Sequence, residues 1–354
     1  MRFGQWITNN SVTPVSHIKP WLRKEDGSLA PWGYFAFDRR GTDLDDEGGL
    51  VSFRKRFTMG KAKRAVLRIT ALGVFEAYIN GVRIGSEEMK PGWTDYHYHV
   101  FEFEYDVTDL CRTGDNVLIV TVANGWWSGR ISHGFYGYRG CGLCAEIEKV
   151  FEDNRHELIA TDESWETVQG GRVRSADIWN GEFYDGREDD VVTEHEKFPW
   201  VHADAYEGIT CEIMPHIGEP VRLYDCTQPQ SAVVYCGTEE NGTDFGTVKV
   251  ISRRVGLHCE RGTLGAGESL VLDMGTNRTA RPHLHFAADR GVTIRVYCAE
   301  MLNDSGSLAR GNDGPCGSAY IDNYRSALSR VQIITGGGEE TFSPLYTLYG
   351  YRYL

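Results

Sequence analysis

No stretch of this 354-residue sequence approaches the roughly 18 consecutive apolar residues that span a bilayer, which excludes a helical membrane class. Positive charge is scarce as well. Lys plus Arg less Asp plus Glu is 37 − 50 = −13, and no local basic patch offsets the deficit. Nucleic acid and anionic membrane surfaces are therefore not expected as partners. The N-terminus, Met1-Arg-Phe-Gly-Gln-Trp-Ile7, lacks the apolar core of a secretion signal, so the cytoplasm is the expected location, with secretion open if a leader has been removed. Nine cysteines, an odd number scattered through a large chain, suit reduced thiols better than a disulfide framework. Sustained 3.6-residue periodicity is also missing, and only short turns such as Thr108-Asp-Leu-Cys111 look helical. G-x-S-x-G, H-E-x-x-H and phosphate-loop patterns do not occur, which removes the simplest hydrolase and nucleotide readings.

What is present is glycine and alternation. Gly numbers 41 of 354, about 12% against a usual ~7%, and implies many tight turns. In Val66-Leu-Arg-Ile-Thr-Ala71, the residues Leu67, Ile69 and Ala71 share one face and Arg68 and Thr70 the other, as in a strand buried on one side. Phe75-Glu-Ala-Tyr-Ile79, Asn80-Gly81 and Val82-Arg-Ile84 read as a hairpin, because Asn-Gly tolerates the positive φ that a two-residue turn demands. Val117-Leu-Ile-Val-Thr-Val122 and Gly291-Val-Thr-Ile-Arg-Val-Tyr297 are β-branched runs of strand length. The expected class is all-β, built as two sandwiches. A charged stretch before residues 198–208 and fresh strand patterns after it place the expected boundary at 205/206, giving domains 1–205 and 206–354. Alternating aromatic residues continue to Leu354 without a polar tail, so the last strand is expected either to end a cut chain or to pack against something outside this sequence.

Few constellations suggest chemistry. Cys141-Gly-Leu-Cys144 has no second pair at zinc spacing and opens no helix, so two buried strand cysteines are the better reading. His97/His99 and His283/His285 each share a strand face but lack a carboxylate partner at fixed spacing. Asn124-Gly-Trp-Trp-Ser-Gly-Arg130 is more informative, because Trp126 and Trp127 offer apolar faces for sugar rings and Arg130 a donor for hydroxyls. The alternative is that one Trp is core and the other covered. Trp179-Asn-Gly-Glu-Phe-Tyr-Asp-Gly-Arg187 repeats the combination, with Trp179 and Tyr184 as surfaces and Asn180 and Glu182 as polar groups. Asn180, Glu182 and Asp185 are also a candidate Ca²⁺ donor set, the only cofactor expected, since oxygen-rich clusters suit that ion. The competing reading is a solvated turn or an ion pair made by Arg130 or Arg187.

Several segments in order resemble the N-terminal region of bacterial α-L-rhamnosidases of glycoside hydrolase family 78. They are Phe53-Arg-Lys-Arg-Phe57, Ala71-Leu-Gly-Val-Phe-Glu-Ala-Tyr-Ile-Asn-Gly-Val-Arg-Ile-Gly85, Pro91-Gly-Trp-Thr-Asp-Tyr96, Tyr105-Asp-Val-Thr108, Asn124 to Arg130 and Gly181 to Arg187. Leu272-Asp-Met-Gly-Thr-Asn277, Ala299-Glu-Met-Leu-Asn303 and the run from Phe342 to Tyr353 follow. The resemblance implies a galactose-binding-like jelly roll and then a concanavalin-like sandwich. In the family an (α/α)₆ toroid carries the catalytic acids of an inverting hydrolysis of terminal α-L-rhamnose. No segment of the family's Asp-Cys-Pro-x-Arg-Asp-Glu type occurs here, so the toroid is expected to lie outside this chain and no catalytic residue is assigned.

The implied role is therefore a non-catalytic front portion that supports the toroid and binds L-rhamnose-containing glycans, inactive by itself. Two alternatives are a stand-alone Ca²⁺-dependent rhamnose lectin and an interaction module that docks a separate catalytic chain. Thr276, where the family usually shows Gln, and Cys141 and Cys144, where small or apolar residues are usual, depart from the pattern.

Overall fold

The alternation of Val66 to Ala71 becomes the inner face of the strand Ala62–Leu72, with Leu67, Ile69 and Ala71 fully buried. This is seen in a computed structural model of the protein, which describes residues 4–12, 50–129, 140–324 and 327–354. The Asn-Gly hairpin is also present. Tyr78 lies opposite Arg83 and Ile79 opposite Val82, with φ of 51° at Asn80 and 83° at Gly81. These positive values match the twist of the flanking strands. The Asn80 amide donates to Leu110 O (3.0 Å) and Asn116 Oδ1 (2.9 Å), while its Oδ1 accepts from Val117 N–H (3.2 Å). One residue thus shapes the turn and fastens it to the neighbouring strand.

Two sheets face each other in the first sandwich. One has the order Asp204–Ala205, Ile7–Thr8, Gly142–Phe151, Ala62–Leu72, His99–Asp106, Glu212–Pro215, with His156–Ala160 added on Gly142–Phe151. The other runs Val201–His202, Glu166–Gln169, Val51–Met59, Gly114–Ala123, Val74–Ile79, Val82–Arg83. Between them Ile7, Phe53, Leu67, Ile69, Phe75, Leu118, Val120, Ile147 and Trp165 form one continuous core. Each such side chain contributes roughly 1.5–3 kcal/mol by leaving water. Among the described residues, α-helix is limited to Gly125–Ser128, and Thr108–Leu110 is a short 3₁₀ turn. Among these described residues no helix is long and apolar enough to cross a membrane.

The second sandwich combines a sheet of order Val173–Asp177, Gly181–Asp185, Arg330–Ile334, Thr293–Tyr297 with one of order Thr247–Val255, Ser231–Glu239, Ser269–Ala280, Tyr349–Tyr353. Val331, Ile333, Phe342, Tyr349 and Tyr351 are buried between them. Hydrogen bonding crosses the expected 205/206 break in both directions. Val173–Asp177 and Gly181–Asp185 lie before it but join the second sandwich, Gly181–Asp185 pairing in parallel with Arg330–Ile334. Glu212–Pro215 lies after it but adds in parallel to His99–Asp106 of the first. The final strand finds partners within the chain, against residues 273–280 on one side and Ala299 on the other.

Candidate functional site

Val74 packs so closely against the turn after Gly114–Ala123 that only glycine fits there. Gly125 has φ of 53°, and a Cβ on it would lie 2.6 Å from Val74 N. The turn starts the four-residue helix that aims Trp126 and Trp127 in different directions. Trp127 is core. Its Nε1–H donates to Gly140 O at 2.7 Å, and its ring meets Tyr96 and Tyr206 edge-on with centroids at 5.5 and 6.5 Å. With that burial it has no free face for a sugar, which corrects its expected role. Trp126 is half-buried and lies parallel to Trp93, at 6.4 Å and an interplanar angle of 6°. Trp93 is 59% exposed. An offset indole pair of this kind presents a flat apolar face of the sort that packs on ring C–H groups. Trp93 was missed as a site residue, although its segment, Pro91 to Tyr96, stood out as a marker of the fold. Arg130 lies outside the described residues.

The 177–187 turn is a neighbour of this helix, since Asn124 Nδ2 donates to Ala176 O at 3.4 Å. Asp177 Oδ1 accepts the N–H groups of Trp179 and Asn180 at 2.8 and 2.9 Å. Trp179 is half-buried, and its carbonyl accepts from Leu328 and Ser329. At Gly181, where φ is 102°, a Cβ would lie 1.7 Å from Arg330 O, so glycine permits the parallel pairing that follows. Side chains then alternate, with Glu182 and Tyr184 on one face and Asp185 on the other.

Glu182 is fully buried, and its Oε2 accepts the N–H groups of Leu345 and Tyr346, both at 3.1 Å. Its Oε1 is buried with no hydrogen-bond partner among the described residues. Burial pushes this carboxyl up to about 7, against the opposing pull of the two N–H groups and of Arg281. Tyr184 packs on Phe342 with ring centroids 4.7 Å apart. Asp185 is also buried, which by itself would raise its carboxyl, but a two-pronged pair with Arg187 at 2.7 and 2.9 Å holds it low.

The expected Ca²⁺ donors Asn180, Glu182 and Asp185 therefore do not converge, because strand alternation sends Glu182 and Asp185 to opposite faces. Among the described residues no three or more His, Cys, Asp or Glu groups form a metal centre. Buried Asn180 and Glu182 are likewise out of reach of a sugar, which corrects their expected role. The cysteine pair is buried as read from the sequence. Burial pushes Cys141 up to about 12, and Cys144 donates to Gly4 O at 3.0 Å. His97 pairs with Asp95, and His285 bonds Thr341.

Another set of polar residues lies where the two sandwiches meet. Fully buried Glu76 takes Arg83 at 2.6 Å and fully buried Lys90 at 3.3 Å. Desolvation lowers Lys90, with the Glu76 charge opposing it. Glu88 is held by Arg83 at 3.1 Å and, from the second sandwich, by both prongs of Arg281 at 2.8 and 3.1 Å. Arg222 reaches Glu87 at 3.1 Å from the connecting segment. Beside these ions, Leu50, Val74, Met89, Ala123, Ala176 and Tyr346 close an apolar cluster against which Trp126 rests.

The family model described as the α-L-rhamnosidase N-terminal domain matches residues 60–225, and the bacterial α-L-rhamnosidase concanavalin-like domain matches residues 265–354. The chain carries two domains of bacterial α-L-rhamnosidases, the N-terminal and the concanavalin-like one. An α-L-rhamnosidase of Streptomyces avermitilis is 31% identical over 92% of this chain and 28% of its own length. One from Alteromonas sp. strain LOR is 28% identical over 99% of this chain and 35% of its own. The crystal structure of the Streptomyces avermitilis enzyme complexed with L-rhamnose superimposes with a TM-score of 0.68 at 29% identity, covering 86% of this chain and 26% of that one. The rhamnosidase domains seen here thus span about a third or less of these relatives.

Proposed function

We propose that this chain is the non-catalytic front of an α-L-rhamnosidase-type hydrolase, which supports a catalytic domain and holds rhamnose-containing glycans on the Trp93/Trp126 face. The reaction of the whole enzyme is inverting hydrolysis of terminal α-L-rhamnose. Such chemistry needs two free carboxyl groups about 6.5–9.5 Å apart. The observation that carries the reading is how four of its buried acids are used: Glu76, Glu88, Glu182 and Asp185 are each engaged by arginine, lysine or backbone N–H groups. They hold the fold together instead of facing a cleft. The rhamnosidases to which the chain is similar supply the substrate class.

A nitrophenyl α-L-rhamnoside is expected to show no turnover above buffer. Turnover abolished by one Asp or Glu substitution would overturn the non-catalytic reading. Calorimetry with millimolar L-rhamnose tests the sugar face independently. Heat is expected with the parent protein, unchanged by a chelator, and at least tenfold weaker binding, about 1.4 kcal/mol, with Trp93→Ala. No heat with the parent would remove the binding role and leave the supporting one.

A further inference from the structure

The turn 344–348 carries contacts to both sandwiches that a simple connection between strands does not require. Tyr346 is 3% exposed and lies among Val74, Met89 and Ala123 of the first sandwich and Ala176 of the second. Its hydroxyl meets Thr121 Oγ1 at 2.6 Å, on the strand Gly114–Ala123 at the centre of the first sandwich. Its backbone N–H and that of Leu345 are held by Glu182, a residue of the second sandwich's sheet. The carbonyl just before, Pro344 O, accepts from Arg281 at 3.0 Å, and the same guanidinium grips Glu88 of the first sandwich. Fully buried Thr347 follows, and the final strand Tyr349–Tyr353 begins two residues later.

The geometry points to a clasp: residues 344–348, with the Tyr346 ring as the tongue, make the two sandwiches one cooperative folding unit and tie the position of the last strand to the interior of the first sandwich. Interfaces between domains of one chain are usually polar and permit relative motion. Here a fully desolvated ring, a buried carboxylate and a buried ion pair meet within one turn, so separating the sandwiches exposes all three at once.

Two probes follow the two halves separately. Trp6, Trp127, Trp165 and Trp200 pack on the first sandwich while Trp179 lies between two strands of the second, so tryptophan fluorescence reports chiefly on the first sandwich, and hydrogen exchange in peptides from 265–354 reports on the second. In urea the parent is expected to show coincident transitions by both probes, the signature of a single unit. Tyr346→Ala is expected to separate them, with 265–354 losing protection at lower urea while the tryptophan transition stays close to the parent's. Thr121→Val, which leaves every residue of the second sandwich in place, serves if Tyr346→Ala does not fold and is expected to separate the transitions by a smaller interval. Separate transitions in the parent would overturn the clasp. So would coincident transitions in the folded Tyr346→Ala variant or, where that variant does not fold, in Thr121→Val.

Discussion

The first sandwich encloses its own core, whereas the second relies on what surrounds it. Ile7, Phe53, Leu67, Phe75 and Trp165 have no measurable exposure, and both sheets of the first sandwich supply the lining. In the second, the buried set is small, and Ile251, Val255 and Leu257 on and after the strand Thr247–Val255 are 54, 84 and 86% exposed. Two of its strands, Val173–Asp177 and Gly181–Asp185, come from sequence that precedes three strands of the first sandwich, Val201–His202, Asp204–Ala205 and Glu212–Pro215. The difference suggests that the second sandwich draws stability from its junction with the first, where Tyr346 and Arg281 enter.

The largest expected effect is a test of that asymmetry. Phe53→Ala should cost about 3–5 kcal/mol, because a large cavity opens in the first core, and with side-chain size matched Val120→Ala in that core should cost more than Val331→Ala in the second. Equal losses in urea midpoint, weighted by m-value, would show that the two cores are equally self-sufficient.

Next comes the ion pair across the junction. Glu88→Ala leaves the buried Arg281 without its carboxylate partner, while Arg83 keeps Glu76, and losses for broken buried pairs run to about 3–5 kcal/mol. Replacing Glu88 and Arg281 together by apolar residues should recover most of that loss, because desolvation of the charges opposes their attraction. Failure to recover in a double-mutant cycle would mean the pair is needed for geometry and not only for charge balance.

The third effect is smaller and depends on pH. Glu182 is raised from its ordinary 4.5 to about 7 by burial. A carboxyl raised on folding contributes stability that is fully present below about 4.5 and is lost as pH rises through about 7. The span corresponds to roughly 3 kcal/mol as a ceiling. Glu182→Gln keeps an acceptor for Leu345 and Tyr346 without the charge, so the urea midpoint should lose much of its fall between pH 4.5 and 8 and exceed the parent's at pH 8. Identical pH profiles for variant and parent would place the titration elsewhere.

Much of the fold could be read from local pattern. The faces of Val66 to Ala71, the Asn80-Gly81 turn and the strand through Val117 to Val122 follow from alternation and from which residues accept positive φ. The site was less legible. Trp126 and Trp127 are adjacent and chemically alike, yet one half faces a partner ring and the other is sealed by Tyr96, Tyr206 and Gly140. Glu182 and Asp185 look like two donors in one oxygen-rich turn, but a strand puts them on opposite faces, a geometry that spacing reveals only once the segment is known to be extended.

The sequence by itself determined the all-β class, the hairpin chemistry and, through ordered motifs, the rhamnosidase family, because these depend on residue type and near neighbours. Only the tertiary structure decided that residues 173–185 serve the second sandwich, that Trp93 is the outer face of the aromatic pair, and that Glu182 is a buried clamp. Each of these depends on which strand or ring lies across a gap of many residues. Alternation specifies the face a side chain takes, but pairing and burial are set by packing over the whole chain.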